Sequence, residues 1–98
     1  MIHDVKLEDA KRFIANYQKV NKKVEAFMYE KVKIEKILGQ DGCTGIRIYY
    51  GLKDNGSYYE NTLIIVGTDA NGKDINADKE TCLAEYGIHN LDVASDLI

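Results

Sequence analysis

The chain has 98 residues, of which 45% are hydrophobic and 30% are charged, and its formal net charge is −3. This length supports one hydrophobic core, so we expect a single domain over residues 1–98. The composition excludes a disordered or fibrous protein, and the small negative charge argues against binding to nucleic acid. We find no apolar run that could cross a membrane or act as a secretory signal, and we therefore expect a cytoplasmic protein without membrane partners.

The charges are unevenly distributed along the chain. Residues 1–38 contain nine Lys/Arg and six Asp/Glu, whereas residues 39–98 contain four Lys/Arg and ten Asp/Glu. Two interpretations stay open: the two halves of one chain pack together, or subunits associate through complementary faces.

The first predicted element is an amphipathic helix over residues 5–20. Apolar residues recur there at spacings of three and four, from Leu7 to Tyr17, and charged residues occupy the other side. Asp4 is the expected N-cap, and the polar sequence NKK near residue 22 is the expected end.

The next segment, VEAFMYEKVKIEKILG, is ambiguous between one helix and two elements. We prefer two elements, because residues 24–29 alternate as a short extended piece and residues 30–38 then form a helix that stops at Gly39. Ile34, Ile37 and Leu38 are predicted to face inward.

From Gly42 onward the apolar period changes from 3.6 to 2. GIRIYYGL and TLIIVGTD are rich in β-branched and aromatic residues, and the turn-forming sequence KDNGSYYEN separates them, which predicts an antiparallel hairpin. Asn71-Gly72 predicts a turn into a short third strand over residues 73–75.

The C-terminal part is predicted to be helical. A short helix is expected from Asp78, its N-cap, through Tyr86 with Gly87 as the stop, and a last helical turn over residues 92–97. The predicted fold is therefore α+β: N-terminal amphipathic helices packed on a small antiparallel hairpin or meander, followed by a short helical tail.

Signals for catalysis and metal binding are weak. Cys43 with His3 or His89 is the only nucleophile–base combination, and its position between glycines favours a small structural residue. DANGKDINADKE resembles a calcium loop at Asp69, Asn71 and Glu80, but Lys73 takes a ligand position. We therefore predict no enzyme activity, no catalytic residue, no metal site and no cofactor.

The tyrosines are the most distinctive feature of the composition: there are seven, four of them in the pairs Tyr49-Tyr50 and Tyr58-Tyr59. Strand alternation places Arg47 with Tyr49 on one face and Ile46, Ile48 and Tyr50 on the other. Both faces are largely apolar, so we expect the face that carries Arg47 and Tyr49 to be covered by a helix of the same chain, a partner subunit or a ligand.

Arg47 has two interpretations. In the first, it extends to the sheet edge, stacks on Tyr49 and pairs with a nearby acid. In the second, it is the polar anchor of a binding patch with neighbouring tyrosines, because tyrosine and arginine are enriched at binding hot spots.

The sequence also resembles a known group of proteins. ILGQDGCTGIRIYYGLKDNG followed by TLIIVGTDANGKDI is similar to the core GCxGIRxYYGL…LILVGxDxNGxD of an uncharacterised family of small bacterial proteins. The resemblance covers residues 5–76 and implies a single α+β domain with a central hairpin. It implies no activity, ligand or site residue.

Two functions are predicted from these features. The first is a non-enzymatic protein-interaction module, self-associating as a homodimer or higher oligomer or binding another protein. The alternative is a small-ligand binding protein for a planar or anionic, nucleotide-like molecule. The candidate binding residues are Arg47, Tyr49, Tyr58 and Tyr59.

Overall fold

A computed structural model of the chain describes residues 3–22, 25–79, 83–84 and 88–89. The chain divides into two compact units, of which one contains the first helix and the other is Phe27–His89. Each unit is described separately below, and the single domain expected from the chain length stays a prediction.

The first unit contains the predicted N-terminal helix, α1 (Leu7–Asn21). Its N-cap is Lys6 rather than Asp4, because the first helical hydrogen bond runs from the Ala10 N–H to the Lys6 carbonyl. Lys22 ends the helix in the left-handed region, with a φ of 59°. The amphipathic helix is confirmed, although none of its residues is buried.

The second unit begins with β1 (Phe27–Met28) and α2 (Lys31–Leu38), which confirms the two-element interpretation of this segment. Ile37 is fully buried, and Ile34 packs against the same cluster. Leu38 is 47% exposed, so its predicted inward position is wrong. Successive helix residues are about 100° apart, and Leu38 therefore points away from the side that buries Ile37. Neither described helix is long and apolar enough to cross a membrane.

The predicted hairpin is confirmed, and it is longer than expected. Strands β2 (Gly45–Asn55) and β3 (Tyr58–Thr68) pair without interruption from Gly45↔Thr68 to Asn55↔Tyr58. Only Gly56 and Ser57 form the turn, and the φ of Gly56 is 73°. A positive φ at the first turn residue alone is the pattern of a type II′ turn, which closes the hairpin with two residues. The longer loop expected over KDNGSYYEN is therefore wrong.

Two short strands pair with the other edge of β3. β4 (Asp74–Ile75) confirms the predicted third strand and pairs with Gly67 and Thr68. β5 (Leu83–Ala84) pairs with Ile65 and Val66, and β6 (Ile88–His89) pairs with β1.

The helix predicted from Asp78 through Tyr86 is wrong at Leu83–Ala84, which is extended. Ile65 and Val66 of β3 are buried, so their backbone groups need partners, and a paired strand supplies them where a helix would not. The last helical turn predicted over residues 92–97 lies outside the described residues.

The described core of the second unit lies between α2 and β3. Ile37 of α2 packs on Ile65 of β3, with Tyr29 and Ile34 beside them, and the Tyr29 hydroxyl donates a hydrogen bond to the Leu63 carbonyl. The protein is thus mixed α+β, with α2 packed on the sheet as predicted. Packing of α1 on the hairpin stays a prediction.

Candidate functional site

The strand register confirms the two faces of the hairpin that sequence alternation predicts. Directly opposed residues of an antiparallel pair share one face. Arg47 opposes Val66 and Tyr49 opposes Ile64, which defines the Arg47 face. On the opposite side Ile46 opposes Gly67, Ile48 opposes Ile65, Tyr50 opposes Leu63 and Leu52 opposes Asn61, and we call this side the isoleucine face.

On the Arg47 face, Arg47 and Tyr49 both bind Asp74. The Arg47 Nη1–H donates to Asp74 Oδ1 at 2.5 Å, and its Nη2–H donates to the Gly72 carbonyl at 2.8 Å. The Tyr49 hydroxyl donates to Asp74 Oδ2, also at 2.5 Å. Both carboxylate oxygens are therefore engaged. We call these three side chains the Asp74 cluster.

Formation of the Asp74 cluster requires both side chains to cross β3. Arg47 and Tyr49 lie on β2 and Asp74 lies on β4, while β3 runs between the two strands. Val66, directly opposite Arg47 on β3, is only 1% exposed. The arginine stem and the tyrosine ring extend over the strand that carries this valine, and they shield that part of the face with the hairpin's own side chains.

The turn between β3 and β4 positions Asp74. The Asp69 carboxylate accepts hydrogen bonds from the backbone N–H groups of Asn71, at 2.8 Å, and Lys73, at 3.0 Å. Gly72 has a φ of 78°, which favours glycine, and the Asp69 N–H donates to the Lys73 carbonyl. The Asn71-Gly72 turn thus brings Asp74 and the Gly72 carbonyl to the Arg47 guanidinium. Asp69 Oδ1, the first ligand of the calcium loop considered above, is used by the turn itself.

The hydrogen bonds of the cluster shift the pKa values of its members. The Asp74 carboxylate, followed by the Tyr49 phenol, raises the pKa of Arg47. The bond to Asp74 raises the pKa of Tyr49, because the phenol holds its proton more tightly beside a carboxylate. In the turn, the N–H groups of Lys73 and Asn71 lower the pKa of Asp69. The cluster is therefore an ion pair in which the Tyr49 phenol holds its proton more tightly than a free tyrosine does.

The four candidate binding residues do not come together in one site. Arg47 and Tyr49 are adjacent, as predicted, but Tyr58 and Tyr59 lie at the far end of the hairpin. Tyr59 opposes Asp54 on the isoleucine face, and the seven strand steps from Val66 to Tyr59 span about 24 Å. These two tyrosines belong to a strand and not to the expected loop. A ligand role for any of the four stays a prediction.

We call the β3 part of the isoleucine face around Ile65 its covered half, and the β2 part its open half. On β3, Ile65 is buried under Ile37 of α2. On β2 the side chains of this face are exposed by 40% at Ile46, 50% at Ile48, 94% at Tyr50 and 65% at Leu52. We call these four residues the β2 stripe. It is about 20 Å long, since six strand steps separate its ends.

Cys43 has a structural role at the start of β2. Its thiol donates a hydrogen bond to the Gly45 carbonyl at 3.2 Å, and a Cβ added at Gly67 would lie 3.0 Å from its Sγ. Gly67 therefore has no room for a side chain beside the thiol. Cys43 is partly buried, so a fully buried thiol at this position is not confirmed.

Asp74 is the residue of this region that sequence reasoning missed. It lies 27 residues from Arg47 in the chain. The Asn71-Gly72 signal predicted that the chain turns back, but the register of β3 with β4 has no local sequence signal, because each side of that pairing is only two residues long.

Comparisons with known proteins do not assign this chain to a family: no family model, no curated protein and no solved structure matches it. The resemblance to small bacterial proteins therefore stays an expectation from the motif alone.

Proposed function

We propose that this protein is a non-enzymatic interaction module that associates with further copies of itself. The observation that supports this proposal is the β2 stripe, in which Ile46, Ile48, Tyr50 and Leu52 are exposed side by side on one strand. Contiguous apolar surface of this kind is rare on monomers and is typical of interaction sites.

The difference between the two halves of the isoleucine face indicates where a second copy would make contact. The α2 helix buries Ile65, the neighbour of Ile48 across the hairpin, but leaves Ile48 itself half exposed. A second copy whose own β2 stripe lies beside this one would continue the same apolar layer. Burial of apolar surface supplies about 25 cal/mol per Å², so even partial burial of four large side chains is a substantial driving force.

Oligomeric state as a function of concentration tests the proposal. We expect size-exclusion chromatography with light scattering to report a mass that rises from monomer toward dimer or higher oligomer between low micromolar and millimolar concentration. A wild-type protein that stays monomeric over this whole range would contradict self-association.

Two substitutions of exposed apolar residues localise the contact. Tyr50 is 94% exposed and belongs to the β2 stripe, whereas Val32 is 76% exposed and lies on α2. Because both side chains are largely exposed, we expect a charged residue at either position to leave folding intact. We expect Tyr50→Lys to shift the equilibrium to monomer, because association would bury the ammonium group, and Val32→Lys to leave it unchanged. Equal effects of the two variants on the oligomeric state would show that the β2 stripe is not the contact surface.

The alternative of a small anionic ligand is tested separately. The Nη1 and Nη2 atoms of Arg47 already donate to Asp74 and to the Gly72 carbonyl, so an anion would compete with an internal carboxylate. A thermal shift with ATP that is lost in Arg47→Ala would favour this alternative over self-association.

The proposed interaction module is further expected to be a cytoplasmic protein from a bacterium.

A further inference from the structure

β2 has one edge without a partner among the described residues. In the sheet order β2-β3-β4, with β5 also on β3, β2 pairs with β3 alone. It runs for eleven residues in unbroken register. An edge of this length presents a row of backbone N–H and C=O groups that can pair with another strand.

The register identifies which backbone groups point to the open edge. Ladder hydrogen bonds alternate along an antiparallel pair, and Asn55 and Tyr58 flank the two-residue turn as the first hydrogen-bonded pair. Counting back from Asn55, the even-numbered residues direct their N–H and C=O groups away from β3. The Tyr29 bond to the Leu63 carbonyl agrees, because Leu63 opposes an even-numbered residue, Tyr50, and its carbonyl points away from β2.

The usual protections of an edge strand are weak here. Proteins block such edges with proline, bulges or charged side chains. The sequence has no proline, and β2 pairs without a bulge. Residues 45–53 contain two charged residues. Arg47 extends across β3 to Asp74, away from the edge, and Lys53 lies at the end of this segment.

One antiparallel self-pairing of β2 matches the side chains best. With Tyr49 opposite Tyr49 of a second copy, Ile46 opposes Leu52 and Ile48 opposes Tyr50. Arg47 then opposes Gly51, and Lys53 opposes Gly45, so each basic side chain faces a glycine. Nine residues pair, and the β2 stripes of the two copies lie on one face.

Neighbouring registers are poorer. Centring the pairing on Tyr50 would place Arg47 opposite Lys53, and like charges directly opposed are destabilising. Centring it on Gly51 would place Ile48 opposite Asp54. Centring it on Ile48 would pair fewer residues and leave Leu52 opposite Thr44.

We infer that two copies pair through their β2 edges, antiparallel and about a two-fold axis at Tyr49, so that their sheets become continuous. This inference rests on the proposed self-association and specifies its geometry. The interface is isologous, since each edge supplies the same surface to the other. The odd-numbered residues near the axis form pairs without ladder hydrogen bonds, in which Cα atoms are about 4.5 Å apart.

Disulfide trapping tests the register. In a Cys43→Ser, Cys82→Ser background, a cysteine at residue 49 lies within disulfide range of its copy across the axis. A cysteine at residue 50 does not, because residue 50 opposes residue 48 of the other copy. We expect mild oxidation to give mainly covalent dimer for Tyr49→Cys and little for Tyr50→Cys, although residue 50 is the more exposed of the two. Lys53→Cys, which leaves the stripe intact, is the second control and should also give little dimer.

Amide hydrogen exchange gives an independent readout without substitutions. On association, the N–H groups of Ile46, Ile48, Tyr50 and Leu52 should exchange more slowly, while those of the odd-numbered residues, already bonded to β3, should change little. Dimers that form without this protection and without trapping at residue 49 would overturn the edge pairing and leave self-association standing. A monomeric wild-type protein would overturn both.

Discussion

Replacement of Ile37 by alanine tests the packing of α2 on the sheet, on which the covered half of the isoleucine face depends. Ile37 is fully buried and contacts Ile65, which is 4% exposed. Ile37→Ala removes three buried carbon groups at about 0.8 kcal/mol each, or about 2.4 kcal/mol, before the cavity is counted. With the cavity, we expect a loss of about 3 kcal/mol, within the range for buried isoleucine.

This loss is large for a chain of this size. A domain of 60–100 residues loses roughly 4–8 °C in Tm per kcal/mol, so Ile37→Ala should melt about 12–24 °C below wild type. The assay is urea unfolding followed by circular dichroism, with thermal melts in parallel. Val32→Ala is the matched control on the same helix, because Val32 is 76% exposed, and its effect should stay within about 0.5 kcal/mol.

Two further comparisons test whether Ile37 is buried against Ile65. Ile37→Val should cost about 0.5–1.5 kcal/mol, since it removes one carbon group from the same site. If Ile37→Ala were no more destabilising than Val32→Ala, the burial of Ile37 against Ile65 would be wrong, and the division of the isoleucine face would lose its basis.

Two predictions concern titration. The pKa of Tyr49 is raised above its ordinary 10.0 by the bond to Asp74, so its contribution to stability is present below pH 10 and is lost as pH rises through the folded-state pKa. In Asp74→Ala this phenol should ionise at lower pH, as measured by tyrosinate absorbance against a Tyr49→Phe reference. Asp54→Ala is the control, and an unchanged titration in Asp74→Ala would contradict the Asp74 cluster. The pKa of Asp69 is lowered from its ordinary 3.8 by the N–H groups of Lys73 and Asn71, so its contribution is present above that value and is lost as pH falls through the folded-state pKa. The difference in urea midpoint between wild type and Asp69→Ala should therefore persist at neutral pH and shrink below pH 3.8, and a difference independent of pH would refute the turn's use of the carboxylate.

The hairpin shows what the local sequence pattern can predict. Alternation of GIRIYYGL placed Arg47 and Tyr49 on one face and Ile46 and Ile48 on the other, and the register confirms it. A side-chain period of two is a property of the extended backbone, so no tertiary contact is needed to predict it. The helix over residues 30–38 and the turn at Asn71-Gly72 were also predictable, because the helical period and the preferences of turn residues are local properties of the chain.

The C-terminal prediction failed because its outcome depends on a distant strand. Residues 78–86 carry helix signals of their own, but Leu83–Ala84 pairs with Ile65 and Val66, whose buried backbone groups need partners. The longer loop predicted between the hairpin strands failed in a similar way: the residues on both sides of the two-residue turn at Gly56 are paired as strand.

The sequence by itself therefore determined the helices near the start, the two faces of the hairpin and the sign of each charge along it. Only the tertiary structure decided that Asp74 binds Arg47, that α2 covers the β3 half of the isoleucine face, and that the β2 half stays exposed. The physical reason is the range of the interactions. Backbone geometry and side-chain period act between neighbours in the chain, whereas the partner of a charge or an apolar side chain is whichever residue the register and packing bring beside it.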